Sequence, residues 1–240
     1  MAVNVDTVYQ RVLSLANKEQ RGYITPQEFN LFANQAQFEI FEQYFYDQNT
    51  KKKEVIASSD AFYSLIEEKL AIFEDVDGTT KINNATIWAT AGATHNKIIP
   101  YYVYRVMRVE LNNMPCDLLN RNDFNDIRRL GPLIEPSDDH PIANIRKGIL
   151  RTVGNNSNFV IPTGVFYYRK PGIVNWGYVV LNETALYNAN NSIDFEIHTS
   201  EETELVYKIL KYAGIAIKRD DIMNAGQGLE VAQIQQQEKQ

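Results

Sequence analysis

The chain holds one cysteine, Cys116, among its 240 residues. That excludes an internal disulfide and any cysteine-based metal site. Its histidines, His95, His140 and His198, are scattered, and no two have the i, i+4 spacing that turns a pair of imidazoles onto one helix face for zinc. Glycine is missing where phosphate binding needs it: Gly172 and Gly177 lack a following Lys-Ser/Thr or a third glycine. No serine stands in a Gly-x-Ser-x-Gly turn, and Cys116 follows Pro115 without a cation to favour its thiolate. No apolar run approaches the ~18 residues of a membrane span. The opening stretch, Met1 to Gln10, lacks the basic and apolar regions of a signal peptide. Cations are outnumbered, 24 Lys and Arg against 30 Asp and Glu for a net charge of -6, which disfavours a general nucleic-acid or anionic-membrane binder. These absences predict a protein made in a reducing cytoplasm, without cofactor, membrane anchor or catalytic site.

Aromatic residues are plentiful, with 14 Tyr and 11 Phe, and Tyr suits surfaces that bury against a partner while keeping a polar tip. Apolar periodicity puts helices in the first seventy or so residues. Val8, Val12, Leu15 and Ala16 share a stripe that Asn4 or Asp6 can cap and Gly22 can stop. Thr25-Pro26-Gln27-Glu28 then reads as a capping box with proline at the first helical position. The helix that follows carries Phe29, Phe32, Ala33, Ala36, Ile40, Phe41, Tyr44 and Phe45, with Leu31 and Phe38 widening the stripe. So wide a face predicts more than one neighbour, and Phe29, Phe32, Phe38, Phe41 and Phe45 are the candidate subunit-packing residues. A third helix, Asp60 to Phe73, uses Phe62, Leu65, Ile66 and Leu70.

After Asp77-Gly78, read as a turn, short β runs take over: Tyr101 to Leu111, Asn158 to Ile161, Thr163 to Tyr168, Gly177 to Leu181 and Ser192 to Ile197. Asn112-Asn113, Gly154-Asn155-Asn156 and Asn188 to Asn191 are turn signals, and Asp117 to Leu130 reads as a short helix. Helix returns at Thr199, spaced for a capping box with Glu202, and Leu205, Val206, Ile209, Leu210 and Ala213 form a stripe ending at Gly214. The last segment, Asp221 to Gln240, ends in a glutamine-rich tract that frays or docks outside the chain. The prediction is an α+β protein: an N-terminal helical bundle over 1–80, a β-rich region over 81–198, and C-terminal helices with a tail over 199–240, integrated as one domain.

Four features imitate function. Asn17 to Glu28 matches a calcium loop at its first, sixth, eighth and twelfth positions (Asn17, Gly22, Ile24, Glu28), but Arg21 sits where an oxygen ligand is needed. It reads as helix, glycine turn and capped helix. Glu74-Asp75-Val76-Asp77-Gly78 reads as a turn, not a metal site. Lys51 to Lys53 reads as a solvated helix end. Tyr167-Tyr168-Arg169-Lys170-Pro171 with Trp176 could stack nucleic-acid bases, yet an edge strand guarded by cations and closed by proline is the simpler reading.

The order of these parts is itself informative. A short helix leads through Lys18-Glu19-Gln20-Arg21-Gly22-Tyr23-Ile24-Thr25-Pro26-Gln27-Glu28-Phe29-Asn30 into a long aromatic helix, then a β region with Tyr167-Tyr168-Arg169-Lys170-Pro171, then Glu201 to Gly214. This resembles the head–tail connector, the ring or adaptor protein, of crAss-like and related podovirus-like tailed phages, over about residues 4 to 225. The resemblance implies a virion protein in a homo-oligomeric ring, typically a dodecamer, beneath the portal protein and against the adjacent tail ring. Genomic DNA would pass through it without sequence-specific binding. It also implies that the C-terminal segment docks on the portal, making Ile222, Met223, Leu229, Val231 and Ile234 candidate contacts. A tail-hub or stopper role is the near alternative. A divalent-metal-binding module at Asn17 to Glu28 and a virion-associated hydrolase are the alternatives of another class.

Overall fold

The computed structural model describes residues 3–18, 24–53, 60–78, 90–91, 96–128, 135–154 and 159–216. The chain is α+β, and it divides into two compact units: Met1–Ile72 with Pro171–Gln240, and Phe73–Lys170. The second unit is therefore an insertion in the first. These bounds differ from those expected, because Glu74–Gly78 belongs to the β unit and 171–198 to the helical one.

The helical unit contains α1 (Val5–Lys18), α2 (Pro26–Lys53), α3 (Asp60–Ala71) and α5 (Glu202–Ala216). Asn4 caps α1, its Oδ1 accepting the Thr7 N–H at 3.0 Å. The capping box at α2 forms as its spacing dictates. Thr25 N–H donates to Glu28 Oε2 at 3.0 Å, and Glu28 N–H returns to Thr25 Oγ1 at 3.3 Å. Those bonds hold the Glu28 carboxyl below its usual range. Val8, Val12, Phe29, Ala33, Ile40, Phe41, Ile66, Leu70, Leu205 and Ile209 make the core where α5 packs on α1 and α2. Leu65, expected in this stripe, is 39% exposed. Gly214 does not stop α5, which runs to Ala216 with Gly214 buried; packing outweighs propensity there. A 3₁₀ turn, Thr199–Glu201, precedes α5, so His198 rather than Thr199 is the capping side chain, its ring accepting the Ser200 N–H.

Between the β unit and α5 the chain runs extended along α2, held by side chains instead of a neighbouring strand. Asn30, Asn34 and Gln37 lie on one face of α2 at i, i+4 and i+7. Asn30 Oδ1 accepts the Trp176 N–H at 2.7 Å, and its Nδ2 donates to the Trp176 carbonyl at 3.3 Å. Asn34 takes the Val174 N–H and donates to the Val174 carbonyl, both at 2.8 Å. Gln37 donates to the Gly172 carbonyl at 2.8 Å and accepts the Glu196 N–H at 2.9 Å. A carboxamide carries the same donor and acceptor as a peptide group, so alternate residues 172, 174 and 176 meet on α2 what a β-ladder would offer. The expected strand Ser192 to Ile197 forms only bridges, Ile193 to Asn175 and Phe195 to Val3.

The β unit contains two sheets. In one, β1 (Glu74–Gly78), β10 (Gly164–Arg169), β4 (Val103–Leu111) and β5 (Met114–Pro115) lie in that order, all antiparallel. In the other, β2 (Thr90–Ala91), β3 (Asn96–Ile98), β8 (Ile149–Val153), β7 (Ile142–Arg146) and β6 (Asp117–Leu118) follow one another, and β9 (Phe159–Val160) also pairs with β8. A short α4 (Arg121–Ile127), capped by Asn120, replaces the longer helix expected there. Val109, Leu111, Cys116, Ala143, Leu150, Val165 and Tyr167 form its core. Asn112-Asn113 and Lys147-Gly148 turn their hairpins with both central φ values positive, the handedness that suits strand twist.

Two expectations fail here for one reason. Glu74 to Gly78 is a strand, not a turn, and Tyr167 to Arg169 lies inside the sheet, not at its edge, because the two segments pair with each other. Tyr167 hydroxyl donates to Asp75 at 3.1 Å and Tyr168 hydroxyl to Glu74 at 3.3 Å, each directly across the register. Asp77, fully buried, pairs with the buried Lys97 ammonium at 2.5 Å. The acidic run is thereby used up by partners in its own unit.

Asn34→Leu removes both of its bonds to Val174 and leaves that residue's peptide groups unpaired, so it costs about 2–4 kcal/mol in urea unfolding, with Asn34→Asp falling between it and wild type. Lys97→Met strands a buried carboxylate and lowers stability by about 3–5 kcal/mol in the same measurement.

Candidate assembly surface

Trp176 converts the side-chain ladder on α2 into a platform. Asn30 fixes its backbone, and its ring, 2% exposed, is held between Tyr9 at 4.1 Å and Tyr178 and Tyr187 at 5.9 and 5.8 Å between centroids. The indole N–H donates to Asp6 Oδ1 at 2.9 Å, which satisfies its one polar group. Trp176 therefore belongs to the core of the helical unit, while Tyr167 and Tyr168 are buried within the β unit.

From this platform projects a hairpin of β11 (Tyr178–Leu181) and β12 (Thr184–Tyr187). Tyr178 and Tyr187 face each other across the register at its base, where Tyr178 hydroxyl accepts from Gln27 of α2 at 3.4 Å. The turn residues Asn182 and Glu183 have φ values of 49° and 62°, so the arm has a defined twist and no register shift. Among the described residues, the two strands pair only with each other.

Its side chains are unlike those of a solvated hairpin. Val179 and Leu186 share one face and are 54% and 49% exposed; Val180, on the other, is 63% exposed, and Leu181 59%. Both faces are thus apolar, and Glu183 at the tip is the only charge on the arm. Ile173 and Ile193, in the segments entering and leaving the arm, are 77% and 54% exposed. An isolated two-stranded ribbon is marginal in water, and exposed apolar groups in a cluster mark surfaces that other molecules cover. Its outer edges, unpaired among the described residues, carry no Lys, Pro or bulge to block strand addition.

The five phenylalanines singled out from the sequence divide differently. Phe29, Phe41 and Phe45 are buried, Phe29 against Tyr9 and Phe41 against Phe45, so they build the unit's own core and are corrected as subunit-packing residues. The cause is the reach of α1 and α5, which cover that side of α2. Phe32 and Phe38 are half-buried, while Leu31 and Tyr46 of the same helix are 68% and 65% exposed. Ile222, Met223, Leu229, Val231 and Ile234 lie outside the described residues, as do Glu19 to Tyr23 of the calcium-like loop.

Elsewhere, Cys116 is buried, and that burial, with Asp117 and Glu110 nearby, pushes its thiol up to about 12. Among the described residues, no cluster of His, Cys, Asp and Glu could hold a metal ion, and no helix is long and apolar enough to cross a membrane. No protein-family model and no curated protein matches the chain.

Gly177 to Leu181 is legible as an apolar run, whereas β12 and the arm they make are not among the elements expected from the sequence. The available signal was Tyr-Val-Val-Leu and Thr-Ala-Leu-Tyr flanking a polar pair, apolar at both parities, with one charge in all. Trp176→Ala removes the ring the arm rests on. It lowers stability by about 3–5 kcal/mol and speeds amide exchange across Tyr178 to Tyr187 more than in α4.

Proposed function

We propose that this chain is a structural subunit of the head-to-tail connector ring of a tailed-phage particle, seated beneath the portal, surrounding the DNA channel and contacting the adjacent tail ring. The observation that carries this reading is the apolar arm β11–β12, a preformed contact element on a rigid aromatic seat, of a kind a protein working alone has no use for. The order of sequence features that resembles connector proteins supplies the particular assembly. Subunits that meet through two different surfaces close into rings when the rotation allows, and the exposed Leu31 and Tyr46 of α2 give a second surface away from the core. A net charge of -6 suits a conduit that must let a polyanion pass without holding it. The localisation that follows is the virion, with synthesis in the host cytoplasm.

The test is mass, measured on the full chain alone and with portal rings. A particle of about twelve copies is expected in at least the second condition, as closed rotational assembly requires. The double variant Val180→Asp/Leu181→Lys is expected to stay monomeric in both, with stability within about 0.5 kcal/mol of wild type, since both positions are exposed. A wild-type chain that stays monomeric and leaves the portal unbound overturns the reading.

A further inference from the structure

We propose that the arms of neighbouring copies pair edge to edge, β11 of one chain against β12 of the next, so that they join into one continuous antiparallel sheet. The inference rests on the connector reading and gives the arm of that reading a named occupant. It is carried by the hydrogen-bonding pattern of the arm. Asn188 N–H donates to the Gly177 carbonyl at 2.8 Å, and the register then runs without a shift from Tyr178 and Tyr187 to Leu181 and Thr184. In an antiparallel ribbon, pairs that exchange hydrogen bonds alternate with pairs that do not. Residues 177 and 188, 179 and 186, and 181 and 184 therefore bond inward. The peptide groups of Tyr178 and Val180 on one edge, and of Ala185 and Tyr187 on the other, point out of the ribbon. Among the described residues those groups have no backbone partner.

The two edges are complements of each other. Copies turned about one ring axis stand level with their arms pointing the same way, so β11 of one runs against β12 of its neighbour. Within the arm Val180 is level with Ala185, and Tyr178 with Tyr187. Those are the four residues with outward peptide groups. Two arms set side by side thus bring Val180 against Ala185 of the next copy, donors facing acceptors. A stagger of two residues, as tilted strands introduce, keeps the same four residues outward.

A second copy also fits better than an unrelated strand. One foreign strand covers one edge and leaves the other bare, whereas neighbours on both sides cover both. Glu183, the arm's only charge, lies in the turn outside the ladder, so no like charges oppose one another across the pairing. Val179, Val180, Leu181, Leu186, Ile173 and Ile193 together expose roughly 600 Å² of side chain, the same order as the ~800 Å² each partner gives to a stable interface. Joined arms also exceed the three strands that a sheet needs to stand in water.

The experiment compares amide exchange of Tyr178 to Tyr187 in the free full chain and in the particle formed alone or on portal rings. In the free chain Tyr178, Val180, Ala185 and Tyr187 are expected to exchange fast, and all four to slow by about tenfold or more in the particle. Ala185→Pro deletes one outward N–H without touching the arm's own ladder, and proline is tolerated at a sheet edge. It is expected to lose assembly, while Ala185→Ser, which keeps the N–H, assembles as wild type does. A particle of about twelve copies in which the four amides exchange as in the free chain overturns the pairing and leaves the connector reading standing. So does protection confined to β11 or to β12, since another strand, or a two-fold pair of like edges, then covers the arm. An Ala185→Pro chain that assembles like wild type also overturns it. No particle in either condition overturns both readings.

Discussion

The side-chain ladder from Asn30, Asn34 and Gln37 to residues 172, 174 and 176 is the constraint on which the helical unit's other features hang. An extended segment beside a helix has no ladder partner, and each buried peptide group left bare there costs about 1–3 kcal/mol. Three carboxamides on α2 remove that cost and fix the register at every second residue. Trp176 is thereby set in one place, and the arm stands on Trp176. Gln37 further ties in Glu196, whose carboxylate takes the Gly172 N–H at 2.7 Å, so the strand leaving the arm is anchored beside the one entering it.

The two units treat buried acids in different ways. In the β unit Glu74, Asp75 and Asp77 each face a specific donor, and their alternation along β1 sorts them between partners. In the helical unit Glu39, Glu201 and Glu204 share two lysines, Lys69 and Lys208, which join α5 to α3 and α2. The first arrangement fixes a register. The second ties helices together.

What could be read from the residues was local. The capping box at Thr25 and Glu28, the stripe Leu205 to Ala213 and the turn at Asn112-Asn113 depend on neighbours within a few positions, and all three form. Strand Glu74–Gly78 was illegible because Asp and Gly disfavour strands until Tyr167, Tyr168 and Lys97 arrive from distant sequence. Placing Tyr167 to Arg169 at an edge failed through the same missing partner. Asn30, Asn34 and Gln37 carry no local signal of their role, since nothing nearby in the sequence shows that a peptide chain lies against them. The arm was half visible: without glycine, Asn182-Glu183 gives a weak hairpin signal, and exposure on both faces depends on what the rest of the fold fails to cover.

The lone cysteine has a practical consequence. Cys116 is enclosed by Val109, Leu111, Ala143 and Val165, and its raised thiol pKa leaves almost no thiolate at neutral pH. The native chain is thus nearly silent towards maleimides and other thiol reagents. A cysteine placed anywhere on the arm would be the single reactive handle, so dyes, spin labels or cross-linkers could be attached there without first removing the natural one.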